Sequence, residues 1–214
     1  MYTEVKQEII NAALEIKHYG LIAISGGNVS VRLEDGTVLV TPSGMSYEGM
    51  KPEDILHMKP CGEIIEGTLR PSVDTVALLY IFEHMPRVNA IIHTHQPYAS
   101  AVGLIQDEFP VACTTLANVT LGAVPVAPYS AAASEQMGIE TVEHIGDKRA
   151  VILKHHGVVT VGDTLKEALY AAIYMEEAAK SYLAAKAAGN VALMTQEQVE
   201  EAVETFKDYG QKKS

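Results

Sequence analysis

The chain has 214 residues, with 16 Lys+Arg against 27 Asp+Glu and a formal net charge of −11; 48% of residues are hydrophobic and 20% charged. This balance excludes a disordered chain, and its long-range field repels nucleic acid and anionic membrane surfaces, so neither is an expected partner. The length suits one domain over residues 1–214, undivided by repeats or Gly/Ser-rich linkers. In chain order, Val5 to Tyr19 sets Ile9, Ile10, Ala13, Leu14 and Ile16 on one helical face, with Gly20 as the stop. The period then changes to two: Val29 to Leu33 alternates, Glu34-Asp35-Gly36 turns and Val38-Leu39-Val40 returns, which predicts a β-hairpin. A second two-strand unit is expected around the turn at Cys61-Gly62, and then a helix from Val73 to His84 that Pro86 closes.

Asn89 to His95 is an apolar run entering polar residues, the pattern of a buried strand that ends at a site. A helix is predicted over Gln96 to Leu104, with short strands near Val111 and Val124 and a further helix opening at Ser134. Ala150 to Leu153 and Val158 to Val161 read as strands. Thr164-x-x-Glu167 is a capping box opening the longest helix, which Gly189 ends, and Thr195-x-x-Gln198 opens a last helix reaching about Asp208. Interleaved helices and strands imply an α/β fold with helices on both faces of the sheet, and the early hairpins make that sheet mixed. Cys61 and Cys113 lack any framework or metal-ligand spacing and are expected as free thiols. No apolar run reaches the ~18 residues that span a bilayer, and the first residues lack a signal-peptide pattern, so the expected compartment is cytoplasmic.

The strongest chemical signal is His93-Thr94-His95, because side chains two apart on a strand share a face and two imidazoles then converge. A third ligand is offered by Lys154-His155-His156-Gly157. Neighbours on an extended segment face opposite ways, so one of His155 and His156 is expected to join the pair. Three histidines with one open position form a catalytic metal arrangement, since a structural site closes with four ligands. His18, His57, His84 and His144 are expected at the surface without partners. Ser72 and Asp74 open a predicted helix, where they serve either as helix-start residues or as an anion donor and a carboxylate beside the metal. Ser25-Gly26-Gly27-Asn28, expected between short strands, and Thr41-Pro42-Ser43-Gly44 offer backbone amides and small donors of the kind a phosphate nest needs. No nucleotide-binding glycine motif is present.

Taken in order, Gly27-Asn28-Val29-Ser30, Thr41-Pro42-Ser43-Gly44, Pro71-Ser72-x-Asp74, His93-x-His95 and His156-Gly157 resemble the class II aldolase/adducin family over nearly the whole chain. The resemblance implies a three-layer α/β/α sandwich with a mixed central sheet and a homotetramer with active sites between neighbouring subunits. It implies Zn2+, one per subunit, on His93, His95 and His156. Ser25, Gly27, Asn28, Ser43, Gly44 and Ser72 would hold the phosphate of a sugar phosphate. Asp74 stands where the aldolases place their acid/base, and Tyr209 matches a tyrosine at the aldehyde end. The implied reaction is cleavage of a ketose 1-phosphate, such as an L-fuculose or other deoxyketose 1-phosphate, to dihydroxyacetone phosphate and an aldehyde through a metal-stabilised enediolate. Alternatives on the same scaffold are an L-ribulose-5-phosphate 4-epimerase, to which Asp74-Thr75 is similar, and a non-catalytic adducin-like interaction domain. The family's second phosphate-site serine is Val73 here. A tyrosine lent by the neighbouring aldolase subunit aligns with Thr114, and the epimerase catalytic aspartate with Asn118.

Overall fold

The computed structural model describes residues 2–206. Its helices are α1 (Thr3–His18), α2 (Thr75–His84), α3 (Pro97–Ile105), α4 (Thr114–Thr120), α5 (Glu135–Ile145), α6 (Leu165–Ala188) and α7 (Gln196–Phe206). The strands are β1 (Gly27–Arg32), β2 (Val38–Val40), β3 (Leu56–Met58), β4 (Ile64–Glu66), β5 (Ala90–Thr94), β6 (Glu108–Phe109), β7 (Val124–Ala127), β8 (Ala150–Leu153) and β9 (Gly157–Gly162). Among the described residues they form one mixed sheet in the order β4-β3-β2-β1-β5-β9-β8-β7-β6. Every neighbouring pair is antiparallel except β7 and β8.

Alternation along the central strands assigns the two faces. Ile91, Val151, Leu153, Val159 and Val161 pack with Ala77, Leu78 and Ile81 of α2 and with Met137 and Ile145 of α5. Their neighbours Ala90 and Ile92 face the other way, against Ile9, Ala13 and Ile16 of α1 and Ala168 and Ala172 of α6. Ile152 and Val158 meet Ala99 and Val102 of α3 and Met175 and Ala179 of α6 on that second face. Helices thus cover both faces, which is why β5, β8 and β9 are buried at every position. Each fully buried branched side chain contributes about 1.5–3 kcal/mol, and Ile91→Ala at the sheet centre would cost ~2–5 kcal/mol.

Local signals account for most boundaries. Thr164 Oγ1 accepts from the Glu167 amide at 3.3 Å while Glu167 Oε2 accepts from the Thr164 amide at 3.1 Å, and Gly189 closes α6. Thr195 and Gln198 make the same reciprocal pair, at 2.9 and 3.3 Å, ahead of α7. Four expectations need correction. No strand precedes Ser25, which lies in the loop from α1 to β1. The strand expected near Val111 is β6, two residues upstream, and α4 was not foreseen. The Lys154-His155-His156 segment is a tight turn rather than extended chain, with His155 at φ 60°. His57 is buried, within 2.7 Å of Thr37 Oγ1 and edge-on to the Tyr2 ring, because β3 is covered by the start of the chain. His18 and His84 are exposed, but His84 stacks on Tyr80, and half-buried His144 lies 3.4 Å from Glu140.

Candidate active site

The register of β1, β5 and β9 brings the polar residues to one end of the sheet. Asn28 pairs with His93, and His93 pairs in turn with Val159. Directly opposed residues share a face, so Asn28 and His93 both point to the α2 side. There the start of α2 delivers Ser72 and Asp74. Asn28 Nδ2 donates to Ser72 Oγ and to Asp74 Oδ2, both at 3.1 Å. The Ala133 amide donates to Asp74 Oδ1 at 3.1 Å, so the loop before α5 also holds this carboxylate. Asp74 occupies the N-cap position of α2 yet makes no cap hydrogen bond. Its carboxylate faces the histidines instead, with Oδ2 3.9 Å from His93 Nε2.

His93, His95 and His156 offer one nitrogen each, all within 4.8 Å of one another. His93 is fully buried, and its Nδ1 donates to the Val158 carbonyl at 2.9 Å, which leaves Nε2 with its lone pair. That Nε2 lies 3.1 Å from His95 Nε2. His156 reaches the group from the β8–β9 turn, and its Nδ1 is buried without a partner. Gly157 permits this approach, since a Cβ there would sit 2.3 Å from the Thr94 carbonyl and 3.1 Å from His95 Cδ2. On the other flank of the His95 ring, a Cβ on Gly26 would come 3.2 Å from Nδ1.

Burial pushes the His93 pKa down to about 3, reinforced by His156 and His95. Burial also lowers His95 and His156, the latter with help from His95, while Asp74 pulls both the other way. All three are therefore neutral near pH 7. Two imidazole nitrogens on one tetrahedral zinc stand ~3.3 Å apart. The spacing, the fixed tautomer of His93 and the orphaned His156 nitrogen all fit a divalent cation. His155 is exposed and turns toward the Tyr129 ring, 6.4 Å away between centroids, so it is His156 that joins the pair.

Around this group the candidate anion loops are stitched together. The Ser43 amide donates to the Arg70 carbonyl at 2.9 Å, the Ser72 amide to the Thr41 carbonyl at 3.3 Å, and Pro42 bridges to Pro71. Ser72 is buried, Ser25 and Gly27 are half-buried, and Ser43 and Gly44 are exposed. Gly44 takes φ +68°, a turn conformation that favours glycine. Val73 is exposed between Ser72 and Asp74. Tyr209 lies outside the described residues. Thr114 opens α4 and lines a groove with Cys113, Met194 and Phe206, away from the histidines, while Asn118 is buried with neither amide atom paired. Sequence reasoning missed Gln96 and Glu176, two buried polar residues directly behind the His93–His95 segment. The signal for Glu176 was present: it falls on the helical stripe of Ala168, Ala172, Met175 and Ala179, among residues that are otherwise apolar.

Known proteins resemble this chain over most of its length. The family described as "Class II Aldolase and Adducin N-terminal domain" matches residues 7–183. A 5-deoxy-D-ribulose 1-phosphate aldolase of Bacillus thuringiensis is 31% identical over 207 residues, covering 96% of this chain and 97% of that protein. An L-fuculose phosphate aldolase of Haemophilus influenzae is 32% identical over 208 residues, covering 97% and 95%. A solved L-fuculose 1-phosphate aldolase superposes with a TM-score of 0.91 at 28% identity, covering 97% of this chain and 98% of that one.

Proposed function

Since the chain belongs to the class II aldolase and adducin family, we propose that it is a zinc-dependent aldehyde-lyase that cleaves a ketose 1-phosphate, L-fuculose 1-phosphate or a similar deoxyketose 1-phosphate, to dihydroxyacetone phosphate and an aldehyde. The observation that carries this reading is the convergence of His93, His95 and His156 beside the Asp74 carboxylate. Both curated relatives named above are aldolases of sugar phosphates. A divalent cation on the three imidazoles would supply Lewis-acid stabilisation of the negative charge that develops on the substrate's oxygens.

The remaining roles belong to the chain's own groups. Asn28 donates both amide hydrogens inward, to Ser72 and Asp74, and so acts on the phosphate through Ser72. With Ser72 Oγ accepting from Asn28, its hydroxyl hydrogen is free to donate to a phosphate oxygen. Ser25, Ser43 and Gly44 complete a neutral set of donors, which suits a chain whose net charge repels anions at long range, while the Gly27 amide is already given to the Ser25 carbonyl at 3.1 Å. When the bond between C3 and C4 breaks, its electron pair stays with the dihydroxyacetone phosphate fragment, and the aldehyde departs after its hydroxyl loses a proton. Asp74, fixed by Asn28 and Ala133, carries the proton to the C3 carbon of that fragment. We assign Tyr209 to the aldehyde oxygen, and the assembly to a homotetramer whose neighbouring subunit completes the aldehyde side.

A 4-epimerase reading has one observation in its favour, the carboxylate oxygen of Asp74 at 3.9 Å from a ligand nitrogen of the cluster. One assay separates the two. Purified protein loaded with zinc, cobalt or manganese is given a panel of ketose 1-phosphates and pentulose 5-phosphates. Release of dihydroxyacetone phosphate supports the lyase, and an epimeric sugar phosphate without cleavage supports the epimerase. Inertness of the metal-loaded protein across the panel overturns both.

A further inference from the structure

The three histidines are not held equally. His93 has an outer partner in the Val158 carbonyl, but among the described residues His95 has no hydrogen bond outside the histidine group. Its ring passes between Gly26 and Gly157 with no polar partner there to fix it, so its placement depends on the backbone that carries it. That backbone is pinned on both sides. Thr94 Oγ1 donates to Gln96 Oε1 at 2.7 Å, and Gln96 Nε2 donates to the Ala172 carbonyl of α6 at 3.4 Å. One turn further along α6, Glu176 accepts the Tyr98 amide at 3.0 Å on Oε1 and the Ala99 amide at 2.9 Å on Oε2. Glu176 is 1% exposed.

A carboxylate buried to that degree is costly unless its lone pairs are matched, and here both oxygens meet amides at the positive end of α3. A helix that needed only a cap would take it from its own N-cap side chain. In α3 that residue is Gln96, whose amide is committed to Thr94 and Ala172, and the cap arrives from a helix some 77 residues away in sequence. This exchange of a local cap for a remote one ties the segment just after His95 to the longest helix of the fold.

We propose that Glu176 is a positioning residue for the histidine centre: by clamping the first-turn amides of α3 onto α6, with Gln96 beside it, it sets the backbone from which His95 reaches the cation. The inference rests on the reading of His93, His95 and His156 as ligands of one divalent ion. Loss of the partner that directly orients a metal-binding histidine typically weakens binding about 10–100-fold, and a clamp that acts on the backbone one step further back is expected at the lower end of that range.

The test is a cobalt(II) titration of chelator-stripped, full-length protein, read by visible absorption. Wild type should take one cobalt per chain. Glu176→Gln keeps the shape but sets an NH2 donor against an amide, and it should bind cobalt about 10-fold more weakly with shifted absorption bands. On a His95→Ala background, the same substitution should change nothing further. Should Glu176→Gln fail to fold by circular dichroism, Glu176→Asp, which withdraws the charge by one methylene, carries the same readouts. A variant that melts earlier yet keeps wild-type affinity and bands, or whose loss adds in full to that of His95→Ala, overturns the positioning role alone. Wild-type protein that takes up no cobalt overturns the ligand reading and this inference with it.

Discussion

The strands β1, β5 and β9 have two ends, and the molecule treats polar groups at those ends in opposite ways. At the far end, the Arg32 guanidinium donates to the carbonyls of Phe82 and Pro86 at 2.6 Å, of Met85 at 3.3 Å and of Val88, and to Asn89 Oδ1 at 3.3 Å. Donors there are spent on the chain itself, closing the C-terminus of α2 and the turn into β5. At the near end, Asn28 Oδ1 and His156 Nδ1 are buried without partners, and three neutral imidazoles crowd together. Three of the five described non-glycine residues at positive φ also lie there, Ile24, Ala133 and His155, at φ near +60° beside Ser25, Asp74 and His156, the other two being Tyr2 and Leu121. Both ends are polar. What distinguishes the near end from the far end is that unpaired buried groups and strained backbone meet there beside one cluster of imidazoles, whereas the far end matches its donors to its acceptors.

The contrast breaks most visibly if the near end loses a ligand. His93→Ala removes the most buried of the three donors, and cobalt or zinc affinity should fall by more than the about 10–100-fold of an outer partner, with turnover lost alongside. Equilibrium dialysis against metal checks this, and an active, metal-free His93→Ala protein would contradict it.

Acid probes the same end without mutation. The His93 pKa is held at about 3 against an ordinary 6.5 by burial and its two neighbours, and His95 and His156 are lowered as well. In the unfolded chain these rings take up protons near pH 6.5 that the fold resists. The stability they contribute is therefore complete above pH 6.5 and is lost as pH falls toward 3. Metal-stripped protein should lose roughly 3 kcal/mol by pH 4 through His93 alone. Thermal melts across that range measure it, and a flat melting temperature from pH 7 to 4 would rule it out.

At the far end the signature is reversed. Arg32→Ala strands several carbonyls, some within reach of water, and should cost about 2 kcal/mol, or roughly 4–8 °C in melting temperature at ~2–4 °C per kcal/mol for a chain of this size. Cobalt affinity should be untouched. A metal-binding defect in Arg32→Ala would show that the two ends are coupled rather than separate.

How much of this was legible in the sequence depends on whether the deciding physics was local. The capping pairs at Thr164 and Thr195, the alternation of Val29 to Leu33 and the apolar run into His93 are properties of a few adjacent residues, and they predicted their elements. The helix α4 was not legible, because Thr114-Thr115-Leu116-Ala117-Asn118-Val119-Thr120 is rich in β-branched residues of modest helix propensity, and packing against α6 and α7 supplies what propensity does not. His57 looked like a surface histidine because the residues that cover it, Tyr2 and Thr37, are distant in sequence. At the site, His93 and His95 were readable from their spacing. Asp74 was ambiguous until its carboxylate was seen bound to Asn28 and Ala133 rather than to its own helix. Glu176 and Glu177 are identical letters side by side, told apart in the sequence only by the apolar stripe on which Glu176 falls, and the fold buries the first and exposes the second.

The smallest expected effect asks whether the strain at the near end is a cost borne for binding. Ile24 is β-branched, 78% exposed and at φ 59°, so it occupies the left-handed region with most of its side chain in solvent. Ile24→Gly removes a clash of about 1–2 kcal/mol and loosens the unfolded chain by about 0.5–1 kcal/mol. The net should be a gain of roughly 0.5–1 kcal/mol, a rise of a few degrees in melting temperature. The same change frees the loop that presents Ser25 and Gly27, so inorganic phosphate should protect the variant less than wild type against thermal unfolding. Stability gained with anion affinity reduced would mean that the strained residue holds the loop in its binding shape. A variant that is more stable and binds phosphate as well as wild type would make Ile24 an accident of the surface, and strain and site would be unlinked at that position.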